Sequence, residues 1–209
     1  MELKEKIKKY LYPLLNIRAS KGLFKFMRQK RISIGMSRLI DCSFDIHGKE
    51  SHIVIGDKCV LIGLHVLIYG DNSQIIIGDE VNINASRQCP VIMTAFDGAK
   101  IVIGDNCLFS NSIELHTTDY HTILDINGME RINPAKDIII DKHVWVGLRT
   151  VILKGVHIAS DNVIGACSVV TSSVEETNTI LCGNPAKTVK KGIKWNIKNL
   201  PVKEKHDSK

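Results

Sequence analysis

From residue 140 onward the apolar positions recur every six residues: Ile140, Val146, Ile152, Ile158, Ile164 and Val170 each lead a hexapeptide. The fifth position of each unit is small or β-branched, namely Val144, Thr150, Val156, Asn162, Ser168 and Val174. A helix repeats at about 3.6 residues and a half-buried strand at about 2, so neither produces a period of six. A short strand followed by a tight corner does, and three such units close a triangular coil of eighteen residues. Stacked coils sit about 4.8 Å apart, so each leading Ile or Val falls above its counterpart.

The same pattern runs upstream with interruptions. Three copies of Ile-Gly-Asp, at Ile55-Gly56-Asp57, Ile77-Gly78-Asp79 and Ile103-Gly104-Asp105, are spaced by 22 and 26 residues, which adds insertions of four and eight to a coil of eighteen. From Ile103 to Ile140 the step is 37, one coil plus nineteen residues, and that surplus predicts a loop projecting from the stack. Cys59 and Cys107 take the inward fifth position of their hexapeptides, two coils apart, and are expected to be small core fillers too distant to bridge.

Composition narrows the picture. With 44% apolar residues but only 5% aromatic in 209, burial must come from Ile, Val and Leu, which suit stacked strands. No apolar run reaches the roughly 18 to 20 residues of a membrane span. Met1-Glu2-Leu3-Lys4 does not open a secretory signal, so the expected compartment is the cytoplasm, with the six cysteines reduced.

The net charge of +6 is uneven: residues 1–40 hold eleven Lys or Arg against Glu2 and Glu5, a local +9, and the remaining 169 residues carry a net −3. A main domain without net positive charge is not expected to bind nucleic acid. Within the basic segment Leu3, Ile7, Leu11, Leu14 and Leu15 share a helical face, flanked by Lys4, Lys6, Lys8 and Lys9 and interrupted by Pro13. Two readings stay open, a helix that caps the first coil or one that rests on the inner face of an anionic membrane. The expected organisation is a basic helical segment over 1–40, a β-helix over 41–190 and a tail over 191–209, with a polar, disordered end from Lys203.

Candidate chemistry concentrates where the long insertion begins. Glu114-Leu115-His116-Thr117-Thr118-Asp119-Tyr120-His121-Thr122 gathers two histidines, carboxylates and hydroxyls at the edge of a rigid scaffold. The coil resumes through Ile138-Ile139-Ile140 and reaches Val144-Trp145-Val146-Gly147; the last coil closes on Gly183-Asn184-Pro185-Ala186-Lys187. Over roughly residues 45–190 the hexapeptides resemble those of the hexapeptide-repeat acyltransferases. The order Thr-Asp-x-His, loop, Val-Trp-Val-Gly resembles the O-acetyltransferases of bacterial capsular and lipopolysaccharide sugars.

The resemblance implies an all-β, left-handed parallel β-helix, the handedness coming from the family alone, and a homotrimer with active sites between subunits. It implies acetyl-CoA as donor, a sugar hydroxyl of a surface polysaccharide or its precursor as acceptor, and no metal. His121 would be the general base, since an imidazole with pKa near neutrality can take the proton of a poorly nucleophilic hydroxyl. The Trp145 indole and a backbone N–H near Gly147-Leu148 would stabilise the oxyanion. His116, Asp119 and Arg131 are the expected acceptor contacts, with Asp119 either holding the His121 tautomer or ending a strand, and His116 either orienting substrate or filling a corner. Gly147, Leu148, Ala166, Lys187 and Lys190 are the expected donor contacts, with Lys191, Arg149 and Lys154 as weaker cations for its phosphates.

Three rival readings follow from the same residues. One is acetylation of a sugar amine or small xenobiotic, and another is a non-catalytic β-helix scaffold. The third is a zinc site of the γ-type carbonic anhydrase kind, in which His116 and His121 need a further ligand such as His65.

Overall fold

A computed structural model of the chain describes residues 17–18, 29–198 and 200. Short strands alternate among three sheets, so that each coil gives one strand to each face of a prism. The first face stacks Ile32–Ile34, His52–Ile55, Gln74–Ile77, Lys100–Ile103, Ile138–Ile140 and His157–Ile158. The second runs from Ile17–Arg18 and Arg38–Ile40 through Val60–Ile62, Asn82–Asn84, Leu108–Phe109, Trp145–Val146 and Val163–Ile164 to the hairpin of Thr179–Gly183 and Ala186–Lys191. The third stacks Ser43–Ile46, Leu64–Tyr69, Val91–Phe96, Ile113–His116, Val151–Leu153 and Val169–Val170. All named pairings are parallel except the final hairpin, where Gly183-Asn184-Pro185 turns the chain back along its own face.

The eighteen-residue register is realised directly, with Ile140 over Ile158, Val146 over Ile164 and Ile152 over Val170. All six leading residues are buried, as are the fifth-position Val144, Thr150, Val156, Asn162 and Ser168, while Val174 is half-buried. The longer upstream steps stack equally well, Ile55 on Ile77, Ile77 on Ile103 and Ile103 on Ile140. Each part of Ile-Gly-Asp has a physical cause. The Ile faces the core; a Cβ on Gly56 would stand 2.7 Å from the Gly78 carbonyl oxygen, so glycine lets the coils close. The Asp carboxylate accepts a backbone N–H of the preceding coil, Met36 to Asp57 at 2.6 Å and Asp57 to Asp79 at 2.7 Å. Such bonds satisfy corner amides that would otherwise lack a partner.

Polar inward positions are paired too: Asn162 donates to the carbonyls of Ala159 and Glu176 at 3.0 and 2.7 Å and accepts from Thr179. Cys59 and Cys107 lie in the core as expected, and burial pushes the Cys107 thiol up to about 12, which keeps it protonated and inert.

The expected boundary at residue 41 is set too late. Ile32–Ile34 already pairs with His52–Ile55 and Arg38–Ile40 with Val60–Ile62, and the buried Ile32 and Leu39 stack on the apolar Ile53 and Leu61 of the next coil. Residues 1–16 and 19–28 of the basic segment, with the helical face expected there, and the polar end from Lys203 lie outside the described residues.

Candidate active site

The insertion leaves the prism after Ile113–His116 on the third face and returns at Ile138–Ile140 on the first, so it projects from the edge between those faces. Its tip is a small hairpin closed by Leu124 and Arg131. Its base is held by Asn133, which is 7% exposed. The Asn133 amide donates to the Asp119 carboxylate and to the His121 carbonyl, each at 2.8 Å, and its oxygen accepts the Ile123 N–H at 2.7 Å. Lys154, entering from the next coil, donates to Asp119 and to the carbonyls of Asn133 and Pro134. Lys154 and Asn133 hold the Asp119 carboxyl below the usual carboxylate range. Arg131 reaches Asp97 of the preceding coil at 3.4 Å.

These bonds present His121 at the surface, where its imidazole makes no hydrogen bond or ion pair among the described residues. An unpartnered imidazole in water can accept a proton from an incoming hydroxyl. Of the alternatives for Asp119, neither describes it fully: its carboxylate is taken by Lys154 and Asn133, and its link to His121 is through the backbone. Lys154 is correspondingly engaged in the loop and is not an uncommitted cation for donor phosphates. His116 is only 15% exposed and bonded at both nitrogens, Nε2 to the Glu114 carboxylate and Nδ1 to the Tyr120 hydroxyl, each at 2.8 Å. That leaves it no free nitrogen for a metal. Among the described residues no group of three His, Cys, Asp or Glu side chains converges on a common centre.

Trp145 lies on the second face, 38% exposed, and its indole N–H has no acceptor among the described residues. Beside it, at 6.0 Å between ring centres, stands Trp195, which stacks on His143 at 4.1 Å and donates to the His143 carbonyl at 2.9 Å. A cleft of about 270 Å³ opens along this corner, lined by Glu80, Asn82, Asn106, His143 and Trp195.

Gly147 follows at the edge between second and third faces. Its N–H is committed to the Ile164 carbonyl at 2.8 Å, which leaves Leu148 as the available backbone donor of that pair. A Cβ on Gly147 would fall 2.7 Å from the Ile164 oxygen, so the glycine serves coil closure. Ala166 is exposed on the coil above, Lys187 pairs with Cys182 in the final hairpin, and Lys190 lies further along the same strand. Lys187 makes no ion pair among the described residues, whereas Lys191 is bonded to Glu176 at 2.7 Å. Gly147, Leu148 and Ala166 are thus brought together on one edge with the final hairpin nearby, while His116, Asp119, His121 and Arg131 gather on another.

Asn133, Tyr120 and Trp195 were not among the residues singled out from the sequence. Asn133 precedes Pro134, a turn signal, but its three partners span residues 119 to 123 and no spacing rule connects them.

A stack of hexapeptide coils with an exposed histidine on its one long insertion defines the class of protein. No family model matches the chain. The polysialic acid O-acetyltransferase of Neisseria meningitidis is 34% identical over 167 residues, 72% of this chain and 78% of the relative. Among solved structures, the polysialic acid O-acetyltransferase OatWY superposes with a TM-score of 0.64 at 27% identity, over 92% of this chain and 95% of that one. The polySia specific acetyltransferase NeuO gives a TM-score of 0.56 at 28% identity, over 88% of each chain. The chain belongs to the hexapeptide-repeat O-acetyltransferases, and its stack is the left-handed parallel β-helix of that family. It is an acyltransferase.

Proposed function

We propose that the protein transfers the acetyl group of acetyl-CoA to a hydroxyl of a surface polysaccharide or its precursor, with His121 as general base. The observation that carries the reading is the exposed, unpartnered imidazole of His121 on an otherwise tightly bonded loop. His121 takes the hydroxyl proton as the sugar oxygen bonds to the thioester carbonyl carbon. The charge developing on the carbonyl oxygen is met by the Trp145 indole N–H and the Leu148 N–H. The C–S bond then breaks, and His121 returns the proton to the departing thiolate. The unpaired Lys187 ammonium suits the donor's phosphates.

Topology supports a site shared between copies. His121 projects from the edge opposite the face that carries Trp145, which supports a reading in which the base of one subunit works with the indole of another. Ile123, Ile126, Met129 and Ile132 stand exposed on the loop, apolar surface that a second copy would cover. A trimer satisfies both.

The test is thiol release from acetyl-CoA over a panel of capsular and lipopolysaccharide glycans, with mass spectrometry of the products. O-acetylated glycan is expected, with the rate falling by about 10² to 10⁴ in His121→Ala. Thiol release independent of every glycan, or a His121→Ala rate above half of wild type, would overturn the reading.

A further inference from the structure

The backbone doubles back immediately before His121. The His121 N–H donates to the Asp119 carbonyl at 2.7 Å, and Tyr120 between them has φ of 63°. An i to i+2 bond around a positive φ is the rarer, strained form of γ-turn, costly for a residue with a Cβ. Such a conformation persists only where its surroundings over-determine it.

Those surroundings are specific. The Tyr120 N–H donates to Thr118 Oγ1 at 3.1 Å. Its hydroxyl donates to His116 Nδ1 at 2.8 Å, and the same oxygen lies 3.3 Å from Thr94 Oγ1. The Glu114 carboxylate can only accept, so the proton of neutral His116 sits on Nε2 and Nδ1 is the acceptor Tyr120 needs. Glu114 and His116 alternate outward on the strand Ile113–His116, and Thr94 pairs with His116 from the strand below. The anchor points are therefore rigid coil positions, whereas the turn is in the insertion. Burial does not explain the arrangement, because Tyr120 is 50% exposed.

We propose that Tyr120 is a positioning residue: the chain Glu114–His116–Tyr120 clamps the strained turn and thereby aims the His121 imidazole. This rests on His121 being the base. It assigns His116 to the aim of the base and away from direct contact with the acceptor.

The test compares Tyr120→Phe, Tyr120→Ala, Tyr120→Gly and His116→Gln with His121→Ala, measuring kcat, the KM for acetyl-CoA and thermal melting. Tyr120→Phe keeps the ring and loses the clamp; kcat should fall about tenfold, since small misplacements of a reacting group are costly. The KM for acetyl-CoA should stay unchanged, because the donor residues occupy another edge. Adding His116→Gln to Tyr120→Phe should cost nothing more if both act through one chain. The sharpest comparison is Gly against Ala. Glycine adopts positive φ without strain, so Tyr120→Gly should exceed Tyr120→Ala in kcat, although it removes more of the side chain's support. A role confined to packing of the ring is separated by Tyr120→Phe, which keeps the ring and would then keep kcat. Should Tyr120→Phe melt early, that comparison is made at a temperature where both variants are folded. Wild-type kcat in Tyr120→Phe, or Gly no better than Ala, with His121→Ala inactive, overturns the clamp and leaves the base in place. An active His121→Ala overturns both.

Discussion

Between Ile140 and Val170 each hexapeptide-leading side chain stands over another aliphatic one, Ile140 on Ile158, Val146 on Ile164 and Ile152 on Val170, whereas residues 117–137 contain no such column. These aliphatic columns are held by many equivalent contacts, each replaceable in kind by an apolar side chain of similar volume. The loop is held by a few that are not: Asn133 with three bonds, Lys154 on Asp119, Arg131 on Asp97 and the Tyr120 hydroxyl on His116. Damage to the first should therefore appear as lost stability and damage to the second as lost rate. The candidate base is on the second, placed by contacts to the first.

The largest effect should come from cutting into the repeat. Ile152→Ala removes a fully buried side chain between Leu115 and Val170, and it should destabilise the protein by about 2 to 5 kcal/mol. Denaturant unfolding checks this. Below the unfolding transition the rate per folded molecule should stay near wild type. A coil variant that keeps its stability but loses its rate would erase the distinction between the regions.

Asn133→Ala should reverse the pattern. It breaks the bonds to Asp119, His121 and Ile123 while leaving the coils intact, so kcat should fall by about ten- to a hundredfold through misplacement of the base. The main thermal transition should barely move. Hydrogen exchange should quicken over residues 117–137 and stay slow in the strands. Slower turnover without faster exchange would mean that Asn133 touches the acceptor instead.

That contrast also explains what could be read in advance. A six-residue period belongs to each residue and its neighbours in sequence, so the coil, its inward column and the place where it is interrupted were legible down to Val144 and Ser168. Ile32 and Leu39 were missed because the basic charge around them outweighed a short apolar pattern. His121 and Trp145 were legible only through resemblance to a family motif, and nothing in their spacing indicated that they leave opposite sides of the prism. The pairing of Asp119 with Lys154, or of Trp195 with His143, depends on which coil each residue reaches. No local rule contains that information.

A smaller effect is expected from the Asp119 to Lys154 pair. The folded-state pKa of Asp119 is depressed, so its contribution is complete above the unfolded value of about 3.9 and is lost as pH falls through the depressed one. The loop should therefore hold its form throughout the neutral range and loosen only in acid. In Lys154→Met the loss should begin at higher pH, nearer the ordinary carboxylate value. NMR titration of the Asp119 carboxyl measures the shift directly; an unmoved midpoint would mean that Asn133 alone accounts for the depression.

The smallest effect separates two roles for Arg131. Its guanidinium meets Asp97 at 3.4 Å with both side chains substantially exposed, the kind of pair that contributes about 0 to 1 kcal/mol and weakens with salt. If Arg131 only tethers the loop, Arg131→Ala and Asp97→Ala should lower kcat by the same factor, about twofold, and the double variant should add nothing. If the guanidinium also contacts the acceptor, Arg131→Ala should raise the KM for an anionic glycan several-fold, while Asp97→Ala, which releases the cation, lowers it. Acceptor titrations of the two variants at low and high salt move KM in opposite directions only if the guanidinium meets the glycan, so even a modest change decides whether this edge of the loop binds the glycan or only fastens the base.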